Sequence, residues 1–234
     1  MNKRLVVNGC SYMYTYAIGQ GHIDLAHQLN IPTAVNLAKP GSCNSRIIRT
    51  CLKDSYNTQE STLYVVGLSF LSRSEIPVHL NVDDFEGKWI SVQNHLNPQH
   101  QYETHWTHND TQTLLDLRLK LELSSTKDRF EDLIYNLLSL VDSMCKRGHD
   151  ILIYRQVNDV EQDIIDQIPA MLHCSDKNFV QGLQWHAVPW QFKNNVNWKE
   201  ADKELPIDVR HPRPGDHSVL NTFLFDYINN HASV

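Results

Sequence analysis

The sequence lacks a long apolar run, and this absence excludes one large class of proteins. No apolar run approaches the roughly 18 residues that a membrane helix needs. The start, Met1–Arg4, leads into too short an apolar stretch for a signal peptide. We therefore expect no membrane partner and a cytoplasmic location.

Paired cysteines and an excess of positive charge are also missing. The five cysteines include no C-x-x-C pair, which argues against a disulfide framework and a structural zinc site. Without an export signal, we expect reduced thiols in a cytosol-like compartment. The 21 Lys and Arg residues are outnumbered by 27 Asp and Glu residues, for a net charge of −6. We therefore expect no nucleic-acid partner, although a local basic patch would not show in this sum.

What is present is an alternation of strand-like and helix-like segments along 234 residues, 41% of which are hydrophobic. Short apolar runs predict strands at 4–7, 33–37, 62–70, 150–154 and 185–188. Apolar residues at helical spacing predict helices at 23–29, 42–52, 114–123, 130–146, 163–172 and 217–229. This order predicts an α/β fold with three α/β/α layers, in which helices cover both faces of a flavodoxin-like parallel sheet.

The alternation breaks between about residues 72 and 110, where polar residues and aromatics accumulate. This stretch is too long for a simple loop, so we interpret it as a lid-like segment inserted into one domain over residues 1–234. It contains four histidines, which are His95, His100, His105 and His108. They could bind a metal, but no carboxylate or cysteine signature frames them, and a polar surface insertion is favoured.

The first segment that indicates chemistry is VVNGCSY, a strand that runs into a glycine turn followed by Ser11. Sites in parallel α/β sheets form where the carboxyl ends of strands meet loops. Ser11 could be a nucleophile if a base removed its proton, or it could be a helix N-cap. Cys10 is a competing nucleophile, although strand alternation directs it away from Ser11.

The second segment is DVRHPRPGDH, which begins at Asp208. An aspartate three residues before His211 can accept the proton on one ring nitrogen, and the other nitrogen is then free to act as a base. A structural loop histidine is the alternative, and a backbone carbonyl could orient the imidazole instead of Asp208. Between the two segments, Gly41 could offer a backbone N–H to an oxyanion, and Asn44 adds a side-chain amide nearby.

These blocks together resemble the SGNH (GDSL-type) hydrolases. Gly9-Cys10-Ser11 corresponds to the G-D-S block of that family with Cys in place of Asp. Gly41 corresponds to its oxyanion glycine, and Asp208-x-x-His211 corresponds to its D-x-x-H block before the last helix. The resemblance implies the SGNH hydrolase fold and a catalytic triad of Ser11, His211 and Asp208, with no cofactor and no metal.

The third block of the family, G-x-N-D, is altered here. The sequence after the third strand is GLSF, with Ser69 where the family has Asn. Losing one such donor costs roughly 3–4 kcal/mol in a comparable acyl transfer. Either Ser69 or Asn44 takes this role, or the protein is a weak or altered enzyme. Arg73 and Glu75 follow closely, and we expect them at the rim of the same pocket.

The function implied by the resemblance is hydrolysis of an ester through an acyl-enzyme. The polar and aromatic residues of the insertion favour a small acyl group, such as acetyl, on a carbohydrate or other small molecule. One alternative is an acyltransferase of the same fold. Another is an inactive SGNH-like binding module, which the altered third block keeps open. Trp185, His186 and Trp190 could line the substrate pocket or pack in the core. The sequence sets no oligomeric state.

Overall fold

Parallel strands form the central layer of the computed structural model. The structure describes residues 2–71, 73–77, 89–93, 116, 119, 123, 126–155 and 218–231. The strands are β1 (Arg4–Asn8), β2 (Thr33–Asn36), β3 (Thr62–Leu68), β4 (Arg73–Pro77), β5 (Trp89–Gln93) and β6 (Asp150–Arg155). Four of them form one sheet, which is parallel as predicted and has the strand order β2-β1-β3-β6. Every residue of β3 is buried, which confirms its prediction as a central strand.

Helices cover the sheet, and all but the first agree with the apolar periodicity of the sequence. They are α1 (Ser11–Ile18), α2 (Gly21–Gln28), α3 (Asn44–Asn57), α4 (Thr126–Lys146) and α5 (Ser218–His231). The helix predicted over 42–52 begins two residues later and continues to Asn57. The elements predicted over 163–172 and 185–188 lie outside the described residues. None of the helices in the described part of the chain is both long enough and apolar enough to cross a membrane.

Side chains of the sheet alternate between two apolar layers. Val6, Tyr64 and Val66 pack on one face with side chains of α3 and α4. Leu5, Val7 and Val65 point to the other face and pack with α1, α2 and α5. Because successive residues of a strand face opposite sides, each short apolar run contributes to both layers. The predicted three-layer α/β/α arrangement is therefore confirmed for the described elements.

The topology places a switch point at the carboxyl edge of the sheet. From β1 the chain passes through α1 and α2 to β2, and it returns through α3 on the opposite face to β3 on the other side of β1. The strand order reverses at this point. In open α/β sheets, ligands bind at such a switch point, beyond the carboxyl ends of the strands.

The described part of the 72–110 segment adds two strands outside this sheet. β4 and β5 pair antiparallel, with Arg73 opposite Gln93 and Pro77 opposite Trp89. An ion pair joins Glu75 of β4 to Arg49 of α3. The beginning of the segment is therefore docked on a helix of the main layer.

Candidate active site

A buried asparagine holds the turn that leads to Ser11. Asn8 ends β1, and its Nδ2 donates to Thr50 Oγ1 at 2.7 Å and to the Ile47 carbonyl oxygen at 3.0 Å, both on α3. Its Oδ1 accepts the backbone N–H of Gly9 at 2.8 Å. This amide therefore joins the site turn to α3. Sequence reasoning missed the role, although an asparagine at the end of the apolar strand RLVVN was the signal.

Gly9 allows the ends of β1 and β3 to approach each other closely. A Cβ at residue 9 would lie 2.8 Å from the Gly67 carbonyl oxygen and 2.6 Å from Met13 Cγ. Real Cβ atoms essentially never make contacts this short. The turn before Ser11 therefore needs glycine, because there is no space for a Cβ atom at residue 9.

Ser11 is the first residue of α1 and is partly exposed. The N-cap position belongs to Cys10, whose side chain makes no capping hydrogen bond, so the interpretation of Ser11 as the N-cap is wrong. Cys10 is fully buried and packs with Tyr12 and Phe70. A nucleophile has to reach its substrate, so this burial favours Ser11 over Cys10. Because the peptide dipoles of a helix align, this end of α1 carries a partial positive charge.

The loop after β2 follows the end of β1 toward the same edge. The N–H of Leu37 donates to the Val7 carbonyl oxygen at 2.9 Å, and that of Lys39 donates to the Gly9 carbonyl oxygen at 3.2 Å. Gly41 then adopts a φ of +76°, in the left-handed region that favours glycine. These contacts bring the Gly41 loop beside the turn that carries Ser11.

Asn44 and Ser69 form a paired contact between α3 and the end of β3. Asn44 Nδ2 donates to the Ser69 carbonyl oxygen at 3.1 Å, and Asn44 Oδ1 accepts the Ser69 N–H at 2.7 Å. Both residues are buried. The two candidates for the missing donor of the third block are therefore direct neighbours.

Arg73 of β4 contacts Ser69 with its side chain. Its Nη1 donates to Ser69 Oγ at 3.0 Å, and its guanidinium lies 4.7 Å from the centre of the Phe70 ring. Glu75 instead turns to α3, where its Oε2 lies 3.2 Å from Arg49 Nη2. The cationic side chain next to Ser69 is therefore Arg73, while the charge of Glu75 is balanced by Arg49.

The buried thiols near this edge are poor nucleophiles. Burial raises the pKa of Cys43 to about 11, and the charge of Glu75 acts in the same direction. Burial also raises the pKa of Cys51 to about 12, against the hydrogen bond from Asn8. A thiol reacts as its thiolate, so both remain unreactive near neutral pH.

The structure thus gathers five of the predicted site residues at one edge of the sheet: Ser11, Gly41, Asn44, Ser69 and Arg73. Asp208 and His211 lie outside the described residues, as do His95, His100, His105, His108, Trp185, His186 and Trp190. Within the described ranges, no group of three or more His, Cys, Asp or Glu side chains could hold a metal ion.

Comparison with models of known protein families gives no match, and comparison with curated protein sequences gives none. Several solved structures are similar over most of the chain, including the three that follow. A candidate acylhydrolase from Bacteroides fragilis NCTC 9343 is 13% identical, with 97% of this chain and 87% of that chain covered and a TM-score of 0.48. A GDSL-like lipase from Bacteroides thetaiotaomicron VPI-5482 is 11% identical, with coverages of 97% and 88% and a TM-score of 0.47. Phospholipase A1 from Streptomyces albidoflavus NA297 is 10% identical, with coverages of 95% and 99% and a TM-score of 0.41. At such low identities, function has to be inferred from the residues of this chain.

Proposed function

We propose that this chain is a serine esterase of one domain, in which Ser11 is the nucleophile. The observation that carries the proposal is the position of Ser11. It is partly exposed and begins a helix at the switch point of a parallel sheet, where the segments after β1, β2 and β3 meet. A hydroxyl there combines access to substrate with the positive end of a helix.

The base in this proposal is His211, which takes the proton of Ser11 Oγ as the oxygen attacks the acyl carbon. Asp208 accepts the proton on the other ring nitrogen and holds the tautomer that the reaction needs. His211 stands shortly before α5, and α5 packs with α1 and α2 on one face of the sheet. The chain therefore returns, just after the proposed base, to the helix that begins at Ser11.

The tetrahedral oxyanion is received by the backbone N–H groups of Ser11 and Gly41, with a side-chain donor from Asn44 or Ser69. His211 then gives its proton to the leaving alcohol, and an acyl-enzyme remains on Ser11. Water attacks the acyl-enzyme with the same base, and the acid is released. No step in this scheme needs a metal or a cofactor.

The substrate class we propose is a small acyl ester, such as an acetyl ester, on a carbohydrate or other small molecule. The support is the polar and aromatic composition of residues 72–110. A panel of esters of increasing acyl length tests this point. We expect acetyl esters to give the highest kcat/KM, and a preference for long acyl chains would overturn the assignment.

The test of the nucleophile is covalent labelling by a fluorophosphonate probe, read by intact mass. We expect labelling of the wild type to be lost with Ser11→Ala and greatly slowed with His211→Ala. We expect it to be kept with Cys10→Ala. Ser45→Ala and His27→Gln are matched controls, because both residues are exposed on described helices. Labelling that survives Ser11→Ala would refute the proposed nucleophile.

A binding module without catalysis is the second candidate, because Ser69 stands where the resembled family has an asparagine. It predicts a wild type that is inert to the probe but binds a small molecule. An acyltransferase would form the same acyl-enzyme on Ser11 as an esterase. The two are distinguished by adding an alcohol, which in an acyltransferase captures the acyl group from Ser11 faster than water does.

A further inference from the structure

Ser69 and Ser11 stand on adjacent chain segments that contact each other. The last paired residues of β1 and β3 are Asn8 and Val66, and each serine stands three positions further along its segment. Phe70 packs against Cys10 and Tyr12, the two residues that flank Ser11. The end of β3 is therefore beside the proposed nucleophile.

The hydroxyl of Ser69 is arranged to act as a donor. A serine hydroxyl has one hydrogen and two lone pairs. Arg73 Nη1 donates to Ser69 Oγ at 3.0 Å and so uses a lone pair, which leaves the Ser69 O–H for another acceptor. A hydrogen bond from a cation also polarises the hydroxyl and strengthens the bond that it donates. The Phe70 ring, 4.7 Å from the guanidinium carbon, supports Arg73 in this position.

Asn44 has a different role from that of the side-chain donor, because its amide is hydrogen-bonded to the backbone of Ser69. Its Oδ1 accepts the Ser69 N–H at 2.7 Å, and its Nδ2 donates to the Ser69 carbonyl oxygen at 3.1 Å. This pair of bonds fixes the backbone from which the Ser69 side chain projects. Ser69 is itself only 3% exposed, so its position is set by the protein and not by solvent.

We propose that the Ser69 hydroxyl is the side-chain donor to the oxyanion that forms when Ser11 attacks an ester. Arg73 is a positioning residue that polarises this hydroxyl, and Asn44 is a positioning residue that holds its backbone. The inference rests on the proposed esterase function and decides between the two donors that it leaves open. Ser69 keeps its proton throughout, because it donates a hydrogen bond and forms no covalent bond.

The experiment compares kcat, KM and the rate of fluorophosphonate labelling among Ser69→Ala, Ser69→Thr, Arg73→Gln and the double variant Ser69→Ala/Arg73→Gln. We expect Ser69→Ala to lower kcat about 100- to 1000-fold with little change in KM, as when one oxyanion donor is removed. Ser69→Thr keeps the hydroxyl, and we expect it to recover most of kcat. Ser55→Ala is the matched control, because Ser55 is a fully buried serine at the far end of α3.

The role of Arg73 is tested by the coupling between its substitution and that of Ser69. If Arg73 acts through Ser69, Arg73→Gln lowers kcat in the wild type but has little further effect in the Ser69→Ala background. Equal effects of Arg73→Gln in both backgrounds would overturn the polarising role. This comparison remains informative even if one single variant is less stable, because it measures the coupling between the two side chains.

The outcomes separate this inference from the proposed function. A wild type that the probe does not label contradicts the esterase itself. A wild type labelled at Ser11, together with a Ser69→Ala variant whose kcat stays within about threefold, contradicts only the role of Ser69. A rise in KM at unchanged kcat also overturns that role, because it indicates binding of the substrate ground state and not of the transition state.

Discussion

The phenol oxygen of Tyr16 is hydrogen-bonded to the side-chain oxygen of Asn221, across 205 positions of the sequence. Both residues are buried, and the phenol oxygen also lies 2.7 Å from the Gly21 carbonyl oxygen, which competes with Asn221 for its single hydrogen. Burial is the main reason why the pKa of Tyr16 lies far above its usual value, so this residue stays a neutral hydrogen-bonding group. The contact ties α1, which begins at Ser11, to α5, which follows the proposed base.

Removing this link tests whether α5 positions the base. Tyr16→Phe leaves buried polar partners on Asn221 and Gly21 without the phenol, so we expect a loss of about 1–3 kcal/mol in the free energy of unfolding. We also expect a lower kcat, because α1 and α5 lose a fixed contact. Urea unfolding and ester kinetics measure the two effects, with Tyr135→Phe on the exposed side of α4 as the control. Unchanged kcat in a destabilised variant would show that the link serves stability alone.

The close contact at Gly9 predicts that adding a side chain there disturbs the candidate active site more than other parts of the fold. A methyl group at Gly9 would collide with the Gly67 carbonyl oxygen, so Gly9→Ala has to move the turn that carries Ser11. We expect a lower rate of Ser11 labelling and a lower melting temperature. Gly148→Ala is the control, because its φ is +73° and, apart from its chain neighbours, no atom of the described residues lies within 4 Å of the added Cβ. Its cost should be about 1–2 kcal/mol of backbone strain, with labelling unchanged. Equal labelling rates for both variants would argue against a tight turn before Ser11.

A partly buried ion pair at the opposite edge of the sheet predicts a pH dependence of stability. Arg4 Nη1 lies 2.6 Å from Asp54 Oδ2, which also accepts a hydrogen bond from Tyr64 at 2.7 Å. Burial by itself would raise the pKa of Asp54, but the hydrogen bonds from Arg4 and Tyr64 outweigh burial and lower it. A carboxyl whose pKa is lowered by folding adds stability above its unfolded pKa of about 3.9 and loses it as the pH falls through the folded value.

Asp54→Asn should therefore cost about 1–3 kcal/mol at pH 7, the penalty for leaving a partly buried charged partner unsatisfied. We expect the difference from the wild type to shrink as the pH falls below the unfolded pKa of about 3.9, because the unfolded chain takes up the proton before the folded protein does. Chemical unfolding at pH 7 and pH 3 measures this change. A difference that is the same at both pH values would mean that the charge of Asp54 contributes nothing. Labelling of Ser11 should be unaffected, because the pair lies at the amino edge of the sheet.

The buried histidine of α2, His22, predicts that stability falls as the pH drops. A histidine paired with a carboxylate would have the opposite effect. Burial lowers the pKa of His22, against the attraction of Asp24. The unfolded chain then binds a proton more readily than the folded chain, so stability falls as the pH drops below the unfolded pKa of about 6.5. We expect His22→Gln to reduce the fall in melting temperature between pH 7.5 and pH 5.5. His27→Gln, on the exposed side of the same helix, should leave that fall as it is.

The layers and the approximate ends of most described elements followed from local patterns in the sequence. Apolar residues at helical spacing identify the buried side of α4, where Leu133, Ile134 and Leu137 pack in the core. The unbroken apolar run of β3 identifies a strand that is covered on both faces. Ser11 and Gly41 were located because each follows a strand of a parallel sheet, and such strands end at one edge.

The sequence by itself determined the fold class, the strand ends that face the candidate site and the residue types available there. Only the tertiary structure decided which of those side chains meet. Asn44 is 25 positions from Ser69, and Asn8 is 42 positions from Thr50, so no local pattern relates the members of either pair. The physical reason is that the sheet order puts β1 between β2 and β3, and this order brings the turn after β1, the start of α3 and the end of β3 to one place. Hydrogen bonds among buried polar groups are then required there, because such groups are costly to leave unpaired.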